Sequence, residues 1–525
     1  RSMTTTRIFT VMFLMLAVSL APAGASAAAW EGYAEKANTA HEEGDFDKAV
    51  ALYEKALKSV EGSRGPDHPE VSTVLVNMSG LLQTIGQYEQ AETNLKRAIA
   101  IDKKALGDRH SEVGADYNVL AQLYAEVGRY EEAEALYLEA LSIWTDTLGE
   151  NHQNIAAIAV NLGQLYREQT RLDEAEKMLL RAVRVDEKAL GEGHPEVAID
   201  LNNLAGLYRE QGRYDEAENV YMRSLSIRMK ALGENDPDVA ESYNNLGQLY
   251  EELGQYGPAE KQYRNALAIW EKAWGDKHPD VAIATNNLAG LYHTTGNYKD
   301  AESLYKRTIA IDETAYGVNH PEIALDVSNL AGLYEEMERF PEAESLYRRS
   351  LDIRKNAYGP VHTLVAGNLN SLARLNVALG KYDDAEKYYQ SALDTWKAAL
   401  GAEHPAVAVG LVNLAGLYQR LDRFDESEKM FLAAIAIDEK AYGADHTEVA
   451  IDLNNLAWLY AQQDKYGKAE ELILRALAIR EAAYGPVHPE VAESLDDLAG
   501  LMEEMGRIDD AKKAEQRALE IRTRL

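Results

Sequence analysis

The chain of 525 residues contains no cysteine. Disulfides and thiolate chemistry are therefore excluded, and the fold must be held together by packing alone. Basic residues are also scarce, since 54 Lys and Arg stand against 86 Asp and Glu and the formal net charge is −32. Such an acidic surface repels phosphate backbones, which argues against nucleic acid as a partner. The charge balance instead favours a basic protein or peptide partner, or reflects only a well-solvated surface.

One apolar run stands near the N-terminus. Arg7 precedes the run 8–20, which is followed by Pro22 and by small residues as far as Ala27. This order is typical of a secretory signal peptide. The run is shorter than the roughly 20 residues that span a membrane, so we expect cleavage near Ala27 rather than retention as an anchor. The mature protein is predicted to be exported, either periplasmic or secreted, with no stable membrane insertion.

The sequence also lacks the motifs that carry enzyme chemistry. It contains no glycine-rich phosphate loop, no Gly-x-Ser-x-Gly elbow, no His-Glu-x-x-His motif and no calcium loop. Paired acidic residues such as Glu131-Glu132 and Asp215-Glu216 fall in the first turns of predicted helices, where carboxylates stabilise the helix N-terminus. We therefore predict no catalytic residues, no cofactor and no enzymatic activity.

A repeat of 42 residues is what the sequence does have. The segment 194–218 returns almost unchanged as 446–470, which is 252 residues or six periods later. One glycine recurs at positions 65, 107, 149, 191, 233, 275, 317, 359, 401, 443 and 485. An alanine recurs at 49, 91, 133, 175, 217, 259, 301, 343, 385, 469 and 511, with Ser427 as the exception. A fixed period of this size indicates a stack of similar units, here twelve.

Each unit is predicted to be a pair of antiparallel helices. The apolar residues follow helical spacing on both sides of a turn at Gly212. The first helix opens with Pro195, at a position where its missing N–H costs nothing. The recurring alanine fits the point where the two helices cross most closely, because interaxial distances of about 8–10 Å leave little room for a larger side chain.

These residues resemble a known repeat family. Leu204-Ala205, Tyr208, Gly212, Tyr214, Ala217, Tyr221 and Leu225 are similar to the tetratricopeptide repeat. The 42-residue period, with His-Pro-Glu-Val-Ala before the first helix, is similar to the cargo-binding repeats of kinesin light chains and their bacterial relatives. The resemblance implies an all-α fold, a right-handed α-solenoid over residues 28–525 that follows a signal peptide at 1–27.

A histidine row stands three residues after the recurring glycine. It comprises His68, His110, His152, His194, His278, His320, His362, His404, His446 and His488, with Asp236 in the remaining unit. Because stacked units set equivalent atoms about one helix pair apart, the row cannot supply the ligands of a single metal ion. Asp is a good N-cap residue, so its presence in the row predicts helix capping, and we predict no metal site.

An asparagine row is the main candidate for function. Asparagine is a poor residue for a helix interior, and yet it recurs nine residues after the histidine, often behind a second asparagine. Two explanations are open: a ladder in which each amide hydrogen-bonds a neighbouring unit, or a concave surface that holds the backbone of a partner, as the kinesin light chain resemblance implies. The candidate partner-binding residues are Asn161, Asn202, Asn203, Asn244, Asn245, Asn286, Asn287, Asn329, Arg374, Asn413, Asn454 and Asn455.

Glycine is frequent on the same helix face three residues further on, as at Gly206 and Gly416. Because glycine inside a helix costs about 1 kcal/mol relative to alanine, we expect close approach of another backbone there, from the next unit or from a ligand. The ninth unit departs from the pattern with Ser371, Arg374 and Asn376, and the next two replace the turn glycine by Asp422 and Asp464. These departures are read as drift or as specific contacts.

The function predicted from the sequence is a non-catalytic scaffold that binds an extended or helical segment of a partner protein along its concave face. The alternative is a structural module of the cell envelope that assembles end to end. The terminal units carry polar residues such as Lys36 and Glu515 where inner units are apolar, as capping repeats require. We therefore expect a monomer or a small closed oligomer.

Overall fold

The repeat folds as a continuous stack of helix pairs. The computed structural model describes residues 29–42 and 44–524, and the predicted signal peptide at 1–27 lies outside the described residues. Within the described residues there are 24 α-helices and no strands. They are α1 (Ala29–Glu42), α2 (Phe46–Arg64), α3 (Pro69–Thr84), α4 (Tyr88–Leu106), α5 (Ser111–Glu126), α6 (Tyr130–Leu148), α7 (Gln153–Glu168), α8 (Leu172–Leu190), α9 (Pro195–Glu210), α10 (Tyr214–Leu232), α11 (Pro237–Glu252), α12 (Tyr256–Trp274), α13 (Pro279–Thr294), α14 (Tyr298–Tyr316), α15 (Pro321–Glu336), α16 (Phe340–Tyr358), α17 (Thr363–Ala378), α18 (Tyr382–Leu400), α19 (Pro405–Arg420), α20 (Phe424–Tyr442), α21 (Thr447–Gln462), α22 (Tyr466–Tyr484), α23 (Pro489–Glu504) and α24 (Ile508–Arg524). Odd-numbered helices are called A and even-numbered helices B, and each A–B pair is one of units 1 to 12.

The histidine row caps the A helices. In ten units the ring Nδ1 accepts the backbone N–H two residues further on, at 3.1 to 3.3 Å. Asp236 makes the equivalent bond through its carboxylate at 3.0 Å. One of the free N–H groups of each helix start is thereby satisfied. The capping role predicted from the sequence is confirmed.

The alanine series marks the crossing of A on B. All the alanines of this series from Ala49 to Ala511 are buried, and so is Ser427. The extra hydroxyl of Ser427 donates to the carbonyl of Ala415 on the facing A helix, at 2.9 Å. The serine therefore keeps the small volume of the crossing and satisfies its own polar group.

Each B helix packs on the next A helix through a pair of residues that are 14 positions apart. From unit 2 onward three kinds of pair occur: two aspartates, as Asp186 with Asp200; an arginine with a polar residue, as Arg480 with Ser494 at 2.7 Å; and a tryptophan with an apolar residue or glycine, as Trp396 with Gly410. From unit 3 onward the kinds follow one another in a fixed cycle, Trp144, Asp186, Arg228, Trp270, Asp312, Arg354, Trp396, Asp438 and Arg480. The cycle covers three units, so the segment that returns after 252 residues returns after two full cycles.

Polar side-chain contacts also join successive units. The hydroxyl of Tyr208 donates to Glu176 of the preceding unit at 3.0 Å, and Arg213 donates to the same carboxylate at 2.8 Å. The guanidinium also lies 4.0 Å above the tyrosine ring. In the ninth unit Asn376 replaces the tyrosine and bonds its own helix at Leu372, so this hydroxyl bond to the preceding unit is missing there.

The stack winds into a superhelix whose successive turns touch. His362, at the start of unit 9, lies with its ring Nε2 3.3 Å from the carbonyl of Thr84, at the end of the A helix of unit 2. The same contact recurs one unit later each time, as between His404 and Glu126. One turn of the superhelix therefore takes about seven units, and its wall is closed where unit n meets unit n+7. None of the helices in the described part of the chain is long and apolar enough to span a membrane.

Candidate partner-binding surface

The A helices line the inner side of the superhelix. Successive A helices contact each other, as α3 with α5 and α7 with α9, and they hydrogen-bond one another through their asparagines. They therefore occupy the smaller radius of the winding. The exposed face of each A helix carries residues at spacings of three and four, such as Ile199, Asn203, Gly206 and Glu210. We call the wall formed by these faces the inner face.

An amide ladder runs along part of the inner face. Asn161 donates to Asn118 at 2.8 Å, and the same bond joins residues 43 positions apart in later units. The other rungs are Asn287 to Asn244, Asn329 to Asn286, Asn413 to Asn370, and Asn454 to the carboxylate of Asp497, with distances of 2.6 to 3.0 Å. The ladder is thus present at these five junctions, where it satisfies polar groups between units.

Four of the predicted asparagines take no part in this ladder. Asn203 and Asn455 face valines, Val160 and Val412, at the position where a rung needs an amide in the preceding unit. Asn202 has both amide atoms buried without a hydrogen-bond partner among the described residues, and Asn245, 43 positions after it, makes no rung either. Asn203 in unit 5 and Asn245 in unit 6 therefore leave amide capacity open on the inner face, whereas the amide atoms of Asn202 are covered by protein. The amides of Asn203 and Asn245 are available to the backbone of a ligand, at a net gain of about 0.5–1.5 kcal/mol per hydrogen bond.

The glycines of the inner face are not required by contacts within the chain. A Cβ added to Gly416 would meet no atom within 4 Å, and one added to Gly206 or Gly332 would meet only a tyrosine hydroxyl at 3.8 Å. Close approach of the next unit's backbone, one of the two explanations offered by the sequence, is therefore wrong for these positions. The other explanation, room for the backbone of a ligand, stays a prediction.

Arg374 occupies the glycine position in the ninth unit. Its guanidinium donates to Glu335 at 3.1 Å and to the hydroxyl of Tyr347 at 3.2 Å. The long side chain fills the space that glycine leaves open in units 5, 8 and 10. The inner face is therefore narrower and more cationic at unit 9 than at its neighbours.

Sequence reasoning missed an apolar stripe on the inner face. Ile199 and Val409 are each 44% exposed at a position five residues after the histidine, and Ile283, Leu325 and Ile451 hold the same position half-buried. The signal was present, because an aliphatic side chain three or four residues before the asparagines shares their helix face. Exposed aliphatic groups beside free amides are suited to an extended peptide, which presents side chains and backbone together.

The inner face is also electrostatically unbalanced. Arg167 and Arg209 pair with Glu210 and Glu252 of the following units at 2.9 and 3.3 Å. Desolvation nevertheless raises the pKa of Glu126, Glu168 and Glu252 above the usual range. All three side chains are solvent-exposed, so a ligand can reach their carboxylates. A cationic side chain beside them would stabilise their charged form.

The described residues contain no group of three or more side chains that could hold a metal ion. The inner face offers hydrogen bonds, apolar contacts and charge, which are the means of recognition rather than of reaction.

Comparison with known proteins assigns the family. The tetratricopeptide repeat family matches residues 26–104, 112–188, 154–230, 196–272, 239–314, 322–398, 365–418, 406–482 and 461–524. The chain belongs to the tetratricopeptide repeat family. Proteins of this family are generally scaffolds for protein–protein interaction and are typically non-catalytic. Comparison with curated protein sequences gave no match.

Solved structures of kinesin light chain-like repeats are similar to parts of this tetratricopeptide repeat chain. BtubC (BKLC) from P. vanneervenii is 24% identical and covers 45% of this chain and 91% of its own, with a TM-score of 0.36. A kinesin light chain candidate of Podosopora anserina with nearly identical TPR-like repeats is 23% identical and covers 39% of this chain and 97% of its own, with a TM-score of 0.34. A single-residue variant of that fungal protein is 24% identical, covers 39% and 96%, and has a TM-score of 0.35.

Proposed function

We propose that this protein is a non-catalytic scaffold that binds an extended segment of a partner protein along its inner face. The observation that carries the proposal is the pair of open amides in units 5 and 6. Asn203 and Asn245 stand where other units use asparagine for rungs, and they make no rung. They lie beside the exposed Ile199 and beside Gly206, which leaves room for a second backbone.

The preferred segment is basic. The acidic residues of the inner face include glutamates whose pKa is raised by desolvation, as at Glu168. A lysine or arginine placed among them would remove this electrostatic cost, and the net charge of −32 attracts such a segment from a distance. We further propose that the protein acts after export, periplasmic or secreted, as its N-terminal segment suggests. A mature N-terminus near Ala27, measured by mass spectrometry, is the expected result.

The test uses asparagines that differ only in whether they form a rung. Peptides are first selected from a random displayed library with the unaltered protein, and enrichment of Lys and Arg is expected. In the open-amide variant, Asn203→Ala and Asn245→Ala are combined. Its affinity for the selected peptide should fall by about 5-fold to 160-fold, if each lost hydrogen bond is worth about 0.5–1.5 kcal/mol. Its melting temperature should hardly change, because alanine has the higher helix propensity.

The matched control combines Asn161→Ala, Asn287→Ala and Asn413→Ala, which removes the donors of three rungs. Each change leaves a partner amide unsatisfied at a cost of about 1–3 kcal/mol, so this variant should melt earlier. Unchanged peptide affinity in the open-amide variant would contradict the proposal, as would a library that yields no binding peptide.

A further inference from the structure

The contact between turns is built from specific residues along five successive units. We call it the seam: the A–B turns of units 1 to 5 lie against the A-helix starts of units 8 to 12. The ring Nε2 atoms of four histidines lie 2.9 to 3.4 Å from main-chain carbonyls in the first turn of the superhelix. The pairs are His362 with Thr84, His404 with Glu126, His446 with Glu168 and His488 with Glu210. Phe46 stacks on Tyr358 and Tyr130 on Tyr442, with centroids 5.5 and 5.6 Å apart.

The sequence differs between edges that form the seam and edges that do not. We call the A-helix starts of units 2 to 7 the free upper edge, and the A–B turns of units 6 to 12 the free lower edge. The B helices before four of the seam histidines end in tyrosines that stack on those rings, namely Tyr316, Tyr358, Tyr442 and Tyr484. The equivalent residues on the free upper edge are Arg64, Leu106, Leu148, Leu190, Leu232 and Trp274, of which only Trp274 stacks on a histidine ring, that of His278. An aromatic residue thus precedes four of the five seam histidines, with Leu400 before His404 as the exception, but only one of the six residues on the free upper edge is aromatic.

The turn glycines show the same asymmetry. A Cβ on Gly44, Gly86 or Gly212 would lie 2.7 to 2.9 Å from a seam histidine, so the seam excludes a side chain at these three turns. On the free lower edge, Glu338, Asp422 and Asp464 take the same position with positive φ. Asp422 and Asp464 in units 10 and 11 thus lie in turns that face no seam histidine.

Unit 4 is the exception on the seam edge. Thr170 takes the turn position there with a φ of +53°, and its hydroxyl lies 3.4 Å from the hydroxyl of Thr447 across the seam. The side chain that the seam accepts at this turn is therefore one that bonds the opposite turn.

We infer that the seam is a latch: it holds the superhelix as a closed tube, and protonation of its histidines releases the two turns from each other. Stacked units contact chiefly their neighbours, so separating the turns breaks only the seam and needs a small rotation in each unit. The latch also controls lateral access to the inner face, a role that rests on the proposed function of that face as the partner surface.

The geometry requires neutral histidine. The Nδ1 of His446 accepts an N–H of its own helix while its Nε2 lies 2.9 Å from the carbonyl of Glu168, which is possible only if Nε2 carries the single proton. Protonation at Nδ1 would place a second N–H group against the backbone N–H of Glu448, which now donates to that nitrogen. His362, His446 and His488 are only 4 to 6% exposed, whereas His110 and His152 on the free edge are exposed. The seam itself therefore buries the rings.

The groups that face these rings do not offset the burial. For His446 they are Tyr442 and the carbonyl of Glu168; for His362 they are Tyr358, the carbonyl of Thr84 and the cationic Arg354. For His488 they are Arg480, which lowers the pKa of the ring, Glu493, which raises it, and the carbonyl of Glu210. At His404 the carbonyl of Glu126 faces the ring. At His320, Glu322, Asp312 and the carbonyl of Glu42 partly counter the burial.

Burial lowers the pKa of His362 and His446 to about 4. A histidine that titrates at 6.5 in the open form and about 4 in the closed form shifts the equilibrium toward opening by about 30-fold at pH 5. The closed form is thus favoured above about pH 6.5 and loses this advantage as the pH falls toward 4.

The experiment joins the two sides of the seam by an engineered disulfide. No native thiol can compete for this bond, because the chain contains no cysteine. Because the side chains of Thr170 and Thr447 meet across the seam, Thr170→Cys with Thr447→Cys should form a disulfide at neutral pH. The control pair is Thr170→Cys with Thr363→Cys, which places the second thiol two units away on the same edge. Small-angle X-ray scattering at pH 7.5 and pH 5 then measures the radius of gyration, and circular dichroism follows the helix content.

At pH 5 the unaltered protein should expand with its helix content retained, and the locked protein should not expand. In the triple variant His362→Asn, His446→Asn and His488→Asn, which keeps a capping side chain, the seam disulfide should form at least about tenfold more slowly at pH 7.5. The same change at His68, His110 and His152 should leave the rate of disulfide formation unaltered.

The latch is overturned if the seam pair of cysteines stays reduced, if the control pair forms its disulfide equally fast, or if the radius of gyration is the same at both pH values. None of these readouts depends on a ligand, so failure of the proposed partner surface remains a separate result.

Discussion

At the scale of single residues, equivalent positions of the repeat have different roles because their surroundings differ. His152 caps its helix and is otherwise exposed, whereas His446 caps its helix and also meets the opposite turn. The turn glycines divide in the same way. Gly212 and Gly254 both have φ near +70°, at +69° and +67°, but only Gly212 faces a histidine.

This difference predicts unequal effects of one substitution. Gly254→Ala should cost about 1 kcal/mol, the usual penalty of a left-handed non-glycine residue. Gly212→Ala should cost about 1–3 kcal/mol more, because its Cβ would lie 2.7 Å from the ring of His488. Urea denaturation of the two variants measures both values, and equal losses of stability would show that the seam is not formed in solution.

At the scale of helices, the junction between each B helix and the next A helix carries its own chemistry. The pair Asp186–Asp200 is buried. Desolvation, and then the charge of the neighbouring carboxylate, raises the pKa of Asp200 to about 8. Asp452 is raised to about 8 by the same causes in the equivalent pair. Two carboxyl groups at one junction thus share a proton at neutral pH.

A pH dependence follows from this pair. The folded pKa of Asp200 lies above its unfolded value, so the stability from the protonated pair is complete below about pH 4 and is lost as the pH rises toward 8. Asp200→Asn replaces the shared proton by an amide donor that does not titrate. The variant should gain roughly 2–5 kcal/mol over the unaltered protein at about pH 8.5 and differ little at about pH 4.5.

The control for this prediction is Asp215→Asn, on the exposed first turn of α10, which should change stability little at either pH. Thermal melts at the two pH values give the comparison. If Asp200→Asn destabilises the protein equally at both values, the carboxyl pair does not share a proton.

At the scale of the whole molecule, the two edges of the tube are not interchangeable. The free upper edge ends in leucines such as Leu106 and Leu148, in place of the tyrosines that hold the seam. The free lower edge presents Glu338, Asp422 and Asp464 in its turns. A second copy stacked on the tube would therefore meet carboxylates without the matching aromatic contacts, which disfavours end-to-end assembly.

We therefore expect a monomer at neutral pH. Light scattering should give the mass of one chain over a wide range of concentration. A mass that rises steadily with concentration would favour the alternative of a self-assembling envelope module. The triple change of Glu338, Asp422 and Asp464 to glycine, which makes the lower edge resemble the seam edge, should increase association if edge chemistry sets the oligomeric state.

Much of the inner face could be predicted from sequence, and some could not. The asparagine row was recognised, but whether a given amide forms a rung depends on the residue 43 positions earlier, as Val160 shows for Asn203. The pairing offset follows from how two A helices lie side by side, which the 42-residue period alone does not state. The stripe at Ile199 and Val409 was missed because isolated apolar residues on a polar helix face are common.

The sequence by itself determined the twelve units, their helices, the caps and the small residue at each crossing, because these depend on contacts within one unit or between neighbours. Only the tertiary structure decided which histidines are buried, which glycines must remain glycine and that the tube is closed. The reason is geometric: a small rotation between neighbours accumulates over about seven units before His362 meets Thr84, 278 residues away. The period of the sequence does not contain that rotation, because identical helix pairs can stack with different twist.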